Sequence, residues 1–188
     1  LTLGRAARGQ LDELILTANP LEGFFFRSVA FQYFHPDDVV SGEGTRAHGG
    51  RFAPVGIAAV YGSAEEDTAL REAAARQTSL RGRSKTEFRD YPRLTYILEI
   101  KTERNLDLST TLPAELHNVI EDCVQPHDHI LSQNLAEIWI AEGIQSILFP
   151  SATGTGRNVA VYIGNASPES VAVFNRAEIL VQLRQRLL

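Results

Sequence analysis

The sequence predicts an α+β fold, and three observations predict it. Short runs rich in β-branched and aromatic residues, such as GFFFRSVAF (23–31) and RLTYILEIKT (93–102), read as strands. Other segments space their apolar residues three and four apart, as helices do. The two kinds are interleaved without the regular strand–helix–strand rhythm of a doubly wound sheet.

Taken in order, Leu11, Leu14 and Ile15 predict a short first helix that stops before Pro20. The aromatic strand follows, with Arg27 in its middle. The stretch HPDDVVSGEGTRAHGG (35–50) reads as a loop, and a second strand is expected from Ile57 to Tyr61. Ser63 and Glu66 have the spacing of a capping box, so a helix should begin near Ala64 and run through EEDTALREAAARQT. RGRSKTEFRDYP (81–92) is polar and reads as a loop, and RLTYILEIKT as the next strand. Pro113 can open a helix through Val124. Leu131, Leu135, Ile138, Trp139 and Glu142 trace another, ended by Gly143. IQSILFPS and NVAVYIG are two buried strands joined by ATGTGR, and the tail carries Ile179, Leu180, Leu183 and Leu187 at helical spacing.

A chain of 188 residues without repeats or low-complexity linkers is expected to form one domain, 1–188. No apolar run approaches the roughly 18 residues of a membrane span. The start lacks the features of a signal peptide, and the absence of methionine implies that the initiator is removed or replaced. A single cysteine, Cys123, cannot form an internal disulfide and fits a reducing cytoplasm. The net charge of −5 argues against broad binding to phosphate backbones, and the basic run RGRSK (81–85) reads as a solvated loop.

Several residues could carry chemistry. Arg27 lies within an aromatic strand, where a guanidinium needs an anion; an internal carboxylate and a ligand carboxylate or phosphate both satisfy that need. Arg51 follows Gly49-Gly50, whose backbone can turn tightly or approach a ligand closely. Tyr61 ends a strand before a helix, placed either as a core tyrosine with a wet tip or as a ring that stacks on a heterocycle. Glu72 flanks the apolar stripe Ala69, Leu70, Ala73 and Ala74, so its default position is a solvated face. Ser151 precedes a Gly-rich turn ending in Asn158, which suits either a hairpin or an anion-binding loop. Cys123, His127 and His129 do not have standard zinc spacing, and no metal is expected. Nothing near Cys123 in sequence would activate it as a nucleophile.

FFRSVAF, GGRFAPVGIAAVYGS, TALREA and ILFPSATGTGRNVAVY together resemble the RES family, named for its Arg, Glu and Ser, over about Phe25 to Asn165. The family's members are toxins usually paired with an Xre-like antitoxin. The resemblance implies a fold similar to ADP-ribosyltransferase toxins, with mixed or antiparallel sheets and flanking helices around a cleft for NAD+. It implies cleavage of the nicotinamide–ribose bond of NAD+, with transfer of ADP-ribose to a protein acceptor, or else to water or phosphate. Matched position by position, Arg51, Tyr61, Glu72 and Ser151 fall on catalytic positions. Arg27, Arg51, Tyr61, Ser151 and Asn158 fall on positions that bind the dinucleotide. The arginines would hold phosphate or ribose oxygens, Tyr61 would pack near nicotinamide, and Glu72 would favour the oxocarbenium-like transition state. Departures from the family pattern at Ser28, at Phe52 to Gly56 and after Asn158 bear on the acceptor and the nicotinamide contacts. A non-catalytic binding module is the rival from another class, and the acidic balance argues against a nuclease.

Overall fold

The strand-forming runs become β1 (Asn19–Ala30), β2 (Ala59–Ser63), β3 (Arg93–Asp107), β4 (Ser146–Pro150), β5 (Arg157–Tyr162) and β6 (Val171–Val173) in a computed structural model of the chain. Residues 5–33, 35–81, 93–110, 112–125, 129–179 and 181 are described. The strands form one mixed sheet in the order β1-β2-β5-β4-β3-β6, and β1 also pairs with β3. All strands but β6 therefore close into a ring, which leaves few free edges. β3 and β4 run parallel, and the other pairings are antiparallel. With helices packed on this sheet, the fold is α+β.

Alternation along the strands sorts the core into two clusters. Phe25, Val60, Leu98, Leu148, Val159 and Val161 belong to one, to which every strand of the ring contributes. Their neighbours Ala59, Ile147, Phe149, Ala160 and Tyr162 belong to the other. That second face is covered by α1 (Arg5–Leu16), α5 (Ala114–Val124) and α6 (Ile130–Ala141). Leu11 and Ile15 come from α1, Leu116 and Ile120 from α5, and Leu135 and Trp139 from α6. Gly143, in the left-handed region at φ 77°, terminates α6 as its sequence predicts.

Several elements differ from expectation for local reasons. β1 begins four residues early because Pro20 falls where the β1–β3 register shifts, between Asn19 and Leu21, and such an irregularity tolerates a residue without an N–H. The expected loop 35–50 contains α2 (Pro36–Val40) and α3 (Glu43–His48), each too short to show a helical period. β2 is displaced by two residues, so Tyr61 stands at its centre rather than its end. α4 (Glu66–Arg81) starts after Ser63, and Ser63 does not cap it. The Ser63 hydroxyl bonds to the Asn158 side chain instead, because the strand extends far enough to carry Ser63 into the sheet. β6 is a short strand that the pattern around SPESVAVF does not reveal. Of the tail, residues 176–179 are helical and Ile179 is buried; Leu180, Leu183 and Leu187 lie outside the described residues. So do residues 82–92 of the expected polar loop. Among the described residues no helix is long and apolar enough to cross a membrane.

The ring is weakly pinned at one joint. β1 and β2 share a single register pair, Phe26 with Ser63, and part beyond it. Arg27 sits in this fork and its Nη1 donates to the Tyr61 carbonyl at 2.7 Å. On the helix-covered face, Trp139 is fully buried against Phe52. Trp139→Ala is expected to cost about 3–5 kcal/mol in a chemical denaturation experiment, by loss of apolar contact and creation of a cavity.

Candidate active site

The Gly-Gly-Arg-aromatic segment folds as a tight turn. The Gly50 N–H donates to the Ala53 carbonyl at 2.7 Å, with Arg51 and Phe52 at the centre of the turn. Phe52 anchors it: its ring is fully buried, 4.7 Å from Phe149 and 6.1 Å from Trp139 between centroids. Gly50 must lack a side chain, since a Cβ there would lie 2.8 Å from Tyr61 Oη and 3.0 Å from its ring. The gap lets Tyr61 reach the turn, where its hydroxyl accepts the Phe52 N–H at 3.0 Å. Tyr162 Oη donates to the Phe52 carbonyl at 3.1 Å. From α6, Ser132 Oγ donates to the Arg51 carbonyl and Gln133 Nε2 to the Gly50 carbonyl at 2.9 Å.

With its backbone fastened in this way, the Arg51 side chain reaches the C-terminal end of α5. Nη1 donates to the carbonyls of Cys123 at 3.4 Å, Val124, and Gln125 at 3.0 Å. These carbonyls lack intrahelical donors and carry the negative end of the helix dipole, so a guanidinium satisfies them well. Burial draws the Arg51 pKa down from its ordinary value, while the charge of Glu72, then Tyr61 and Cys123, acts to raise it. Among the described residues Arg51 donates through Nη1 alone, which leaves Nη2 and Nε for another acceptor.

Glu72 lies on the sheet side of α4. Among the residues of this helix whose side chains are described, Thr68, Ala69, Glu72 and Ala73 face inward, while Leu70 is 42% exposed. The expected stripe through Leu70 and Ala74 is thus rotated, and Glu72 leaves the solvated face for a half-buried position. Its Oε1 accepts Ser151 Oγ at 2.6 Å and Asn158 Nδ2 at 2.8 Å. Asn158 in turn accepts Ser63 Oγ at 2.7 Å.

Ser151 begins the hairpin turn between β4 and β5, where its N–H donates to the Gly156 carbonyl at 3.0 Å. Gly156, at φ 80°, packs so closely on the first turn of α4 that a Cβ would meet Thr68 Oγ1 at 2.2 Å. This contact holds the hairpin, and with it Ser151 and Asn158, against the helix that carries Glu72.

The side chains singled out by the resemblance form two hydrogen-bonded groups, one around Tyr61 and one around Glu72. Arg27 bonds to the Tyr61 carbonyl, Tyr61 holds the turn that presents Arg51, and Arg51 senses the charge of Glu72, which gathers Ser151 and Asn158. Arg27 is linked to the rest of the site through Tyr61. Two cavities of about 430 and 530 Å³ lie elsewhere, beside Ser109–His117 and between α1 and Asn105, and neither is lined by these residues.

A family comparison decides what the chain belongs to. Residues 25–181 match the family described as RES domain. The chain is a member of the RES family. Among solved structures, this RES domain is similar to a chain in the crystal structure of the M. tuberculosis MbcT–MbcA toxin–antitoxin complex. The TM-score is 0.70 at 19% identity, with 92% of this chain and 91% of that chain covered, which speaks to a shared fold. No curated protein matches the sequence.

Reading the RES domain by sequence alone misses Thr153, Ser132, Gln133 and Tyr162 and assigns Ser63 to a helix cap, although these residues do much of the positioning. Ser132 left one trace, since it falls on the apolar stripe of Leu135, Ala136 and Trp139, where a hydroxyl must find a partner.

Cys123 is buried beneath Arg51, and His127 lies outside the described residues. Among the described residues no three His, Cys, Asp or Glu side chains converge as a metal set. Burial, then the neighbouring Asp122, push the Cys123 thiol up to about 12 against the opposing pull of Arg51. The reactive thiolate is thus scarce at neutral pH. A colorimetric thiol titration at pH 8 should find no rapidly reacting thiol in the folded protein and one per chain in denaturant.

Gly50→Ala would drive Tyr61 off the turn and release the backbone that presents Arg51. Its thermal unfolding midpoint should fall by several degrees relative to wild type, in line with a cost of about 1–3 kcal/mol for overpacking.

Proposed function

We propose that this RES domain is the toxin of a toxin–antitoxin pair and acts by consuming NAD+. The reading is carried by one observation: a half-buried carboxylate, Glu72, is held by two protein donors that occupy only one of its oxygens. Among the described residues no donor occupies Oε2, which is left to accept from a substrate hydroxyl. Family membership and the fold shared with a chain of a toxin–antitoxin complex support the wider role. The partner that follows from this reading is an antitoxin of the Xre-like kind, and cytoplasmic action follows with it.

The bond at issue joins nicotinamide to C1 of the ribose. As it breaks, nicotinamide leaves with the electron pair, and positive charge develops on the sugar. Glu72 binds a ribose hydroxyl through Oε2 and stabilises that charge; Arg51 offers Nη2 and Nε to the pyrophosphate. Arg27 adds positive charge beside Tyr61, where β1 and β2 part. Tyr61, whose hydroxyl accepts from Phe52 and whose ring stands edge-on to Phe149 at 6.4 Å, packs near nicotinamide. Ser151 keeps Glu72 in place beside the nicotinamide end. The C1 centre is then captured by an acceptor oxygen or nitrogen. In the transferase reading this is a protein side chain; in the degradative reading it is water or phosphate.

Purified protein incubated with NAD+ should release nicotinamide. Glu72→Gln should lower that rate by about 100- to 1000-fold, the usual loss when one charge-stabilising group is removed. Unaltered turnover in a variant that melts with the wild type would refute the assignment of Glu72. Unchanged NAD+ after prolonged incubation with wild-type protein and lysate would favour a non-catalytic binding module. Adenine-labelled NAD+ with lysate separates the acceptors: label on protein marks transfer, and free ADP-ribose or its phosphate ester marks degradation.

A further inference from the structure

We infer that Ser63 and Thr153 are positioning residues that set the donor polarity around Glu72 and keep its Oε2 directed to the substrate. The catalytic half of this inference rests on the NAD+-cleaving reading; the structural half does not.

The starting point is what each group can do. An ionised carboxylate only accepts hydrogen bonds, so both groups that touch Oε1 must donate. Ser151 has one hydroxyl proton and gives it to Glu72 at 2.6 Å. Its oxygen is approached by Thr153 Oγ1 at 2.8 Å and by the Thr153 N–H at 3.1 Å. With the Ser151 proton committed, the Thr153 hydroxyl has to be the donor in that pair. Both protons from Thr153 point at Ser151, and the Ser151 proton points at Glu72.

The other arm obeys the same rule. Asn158 must turn Nδ2 towards the carboxylate, at 2.8 Å, which leaves Oδ1 facing Ser63. Ser63 Oγ donates to it at 2.7 Å. Ser63 and Asn158 are direct register partners on β2 and β5, so the sheet itself places the hydroxyl beside the amide. Ser63, Ser151 and Asn158 are 4%, 6% and 7% exposed. At that burial, water competes poorly for these bonds, and a chain of aligned dipoles strengthens each member.

Two hydrogen-bonded chains thus converge on one carboxylate oxygen with every proton pointing inward. Removing Ser63 would leave Oδ1 buried and without its donor, so the amide would shift in search of another and loosen its hold on the carboxylate. Removing the Thr153 hydroxyl would free Ser151 to swing its proton elsewhere. Either change lets the Glu72 side chain drift without touching a group that contacts the substrate.

The experiment uses the full chain and four variants: Ser63→Ala, Thr153→Val, Thr153→Ser and, as a control in the same turn, Thr155→Val. Thr155 Oγ1 accepts from Arg71 and has no link to Glu72. NAD+ cleavage kinetics should show kcat reduced by about 5- to 30-fold in Ser63→Ala and Thr153→Val, as for loss of support to a charged hydrogen bond. KM should stay within about twofold, Thr153→Ser should recover most of kcat, and Thr155→Val should match wild type. In parallel, the Asn158 side-chain amide signals in a ¹H–¹⁵N spectrum, assigned by their loss in Asn158→Asp, should move in Ser63→Ala.

Unmoved amide signals in a folded Ser63→Ala protein would overturn the inference. So would wild-type kcat in Ser63→Ala and Thr153→Val while Glu72→Gln is crippled, because NAD+ cleavage would then stand without this support. A wild-type protein that leaves NAD+ intact would instead remove the proposed function, and the amide signals would still judge the polarity of the chain.

Discussion

A carboxylate drawn away from water must be matched by donors, and much of the site is arranged to meet that demand. Glu72 sits on the sheet side of α4, where helix and hairpin turn close over it. Its donors come from Ser151 and Asn158, at opposite ends of the β4–β5 turn, so the turn has to be held close to the helix. Gly156 permits that closeness, since any side chain there would collide with Thr68 and Glu65. The opposing charge arrives from the other side, on a turn whose placement depends on Phe52 being buried beneath it.

That turn shows how a fold can aim a cation. A long arginine side chain left free would lose its benefit to rotamer entropy. Here the backbone of residues 50–53 is fastened by two tyrosine hydroxyls and two polar side chains of α6, and Nη1 is tied to the end of α5. Burial disfavours the charge and the nearby charge of Glu72 opposes that effect only in part, while the carbonyls at the end of α5 accept from the guanidinium. Arg27 makes a different contribution, bridging the fork where β1 and β2 lose their pairing. A closed ring of strands has few places to open, and this joint, with its single register pair, is one of them.

Local pattern made much of the architecture legible. Apolar and aromatic runs at 23–31, 93–102, 144–151 and 158–164 became strands, and helical spacing from Leu131 to Glu142 became a helix ended by glycine. Short helices such as α2 and α3 escaped because five or six residues cannot display a period of 3.6. Ser63 was misread as a helix cap for a related reason: its sequence spacing to Glu66 fits a capping box, while its actual partner is 95 residues away. Glu72 was placed on the solvated side because alanine stripes define a helix face poorly, and only packing shows which alanines are covered.

By itself the sequence determined the α+β class and the chemical kinds available to a site: two arginines, a tyrosine, a glutamate, a serine and an asparagine. These follow from short-range sterics and from the side chains themselves. Only the tertiary structure decided that Arg51 leans on the end of α5, that Arg27 is tied to the Tyr61 backbone, and that Ser63 and Thr153 direct protons towards Glu72. Those outcomes depend on strand register and on helices packing over a closed sheet. Hydrogen bonds act over about 3 Å in space, whatever the separation along the chain.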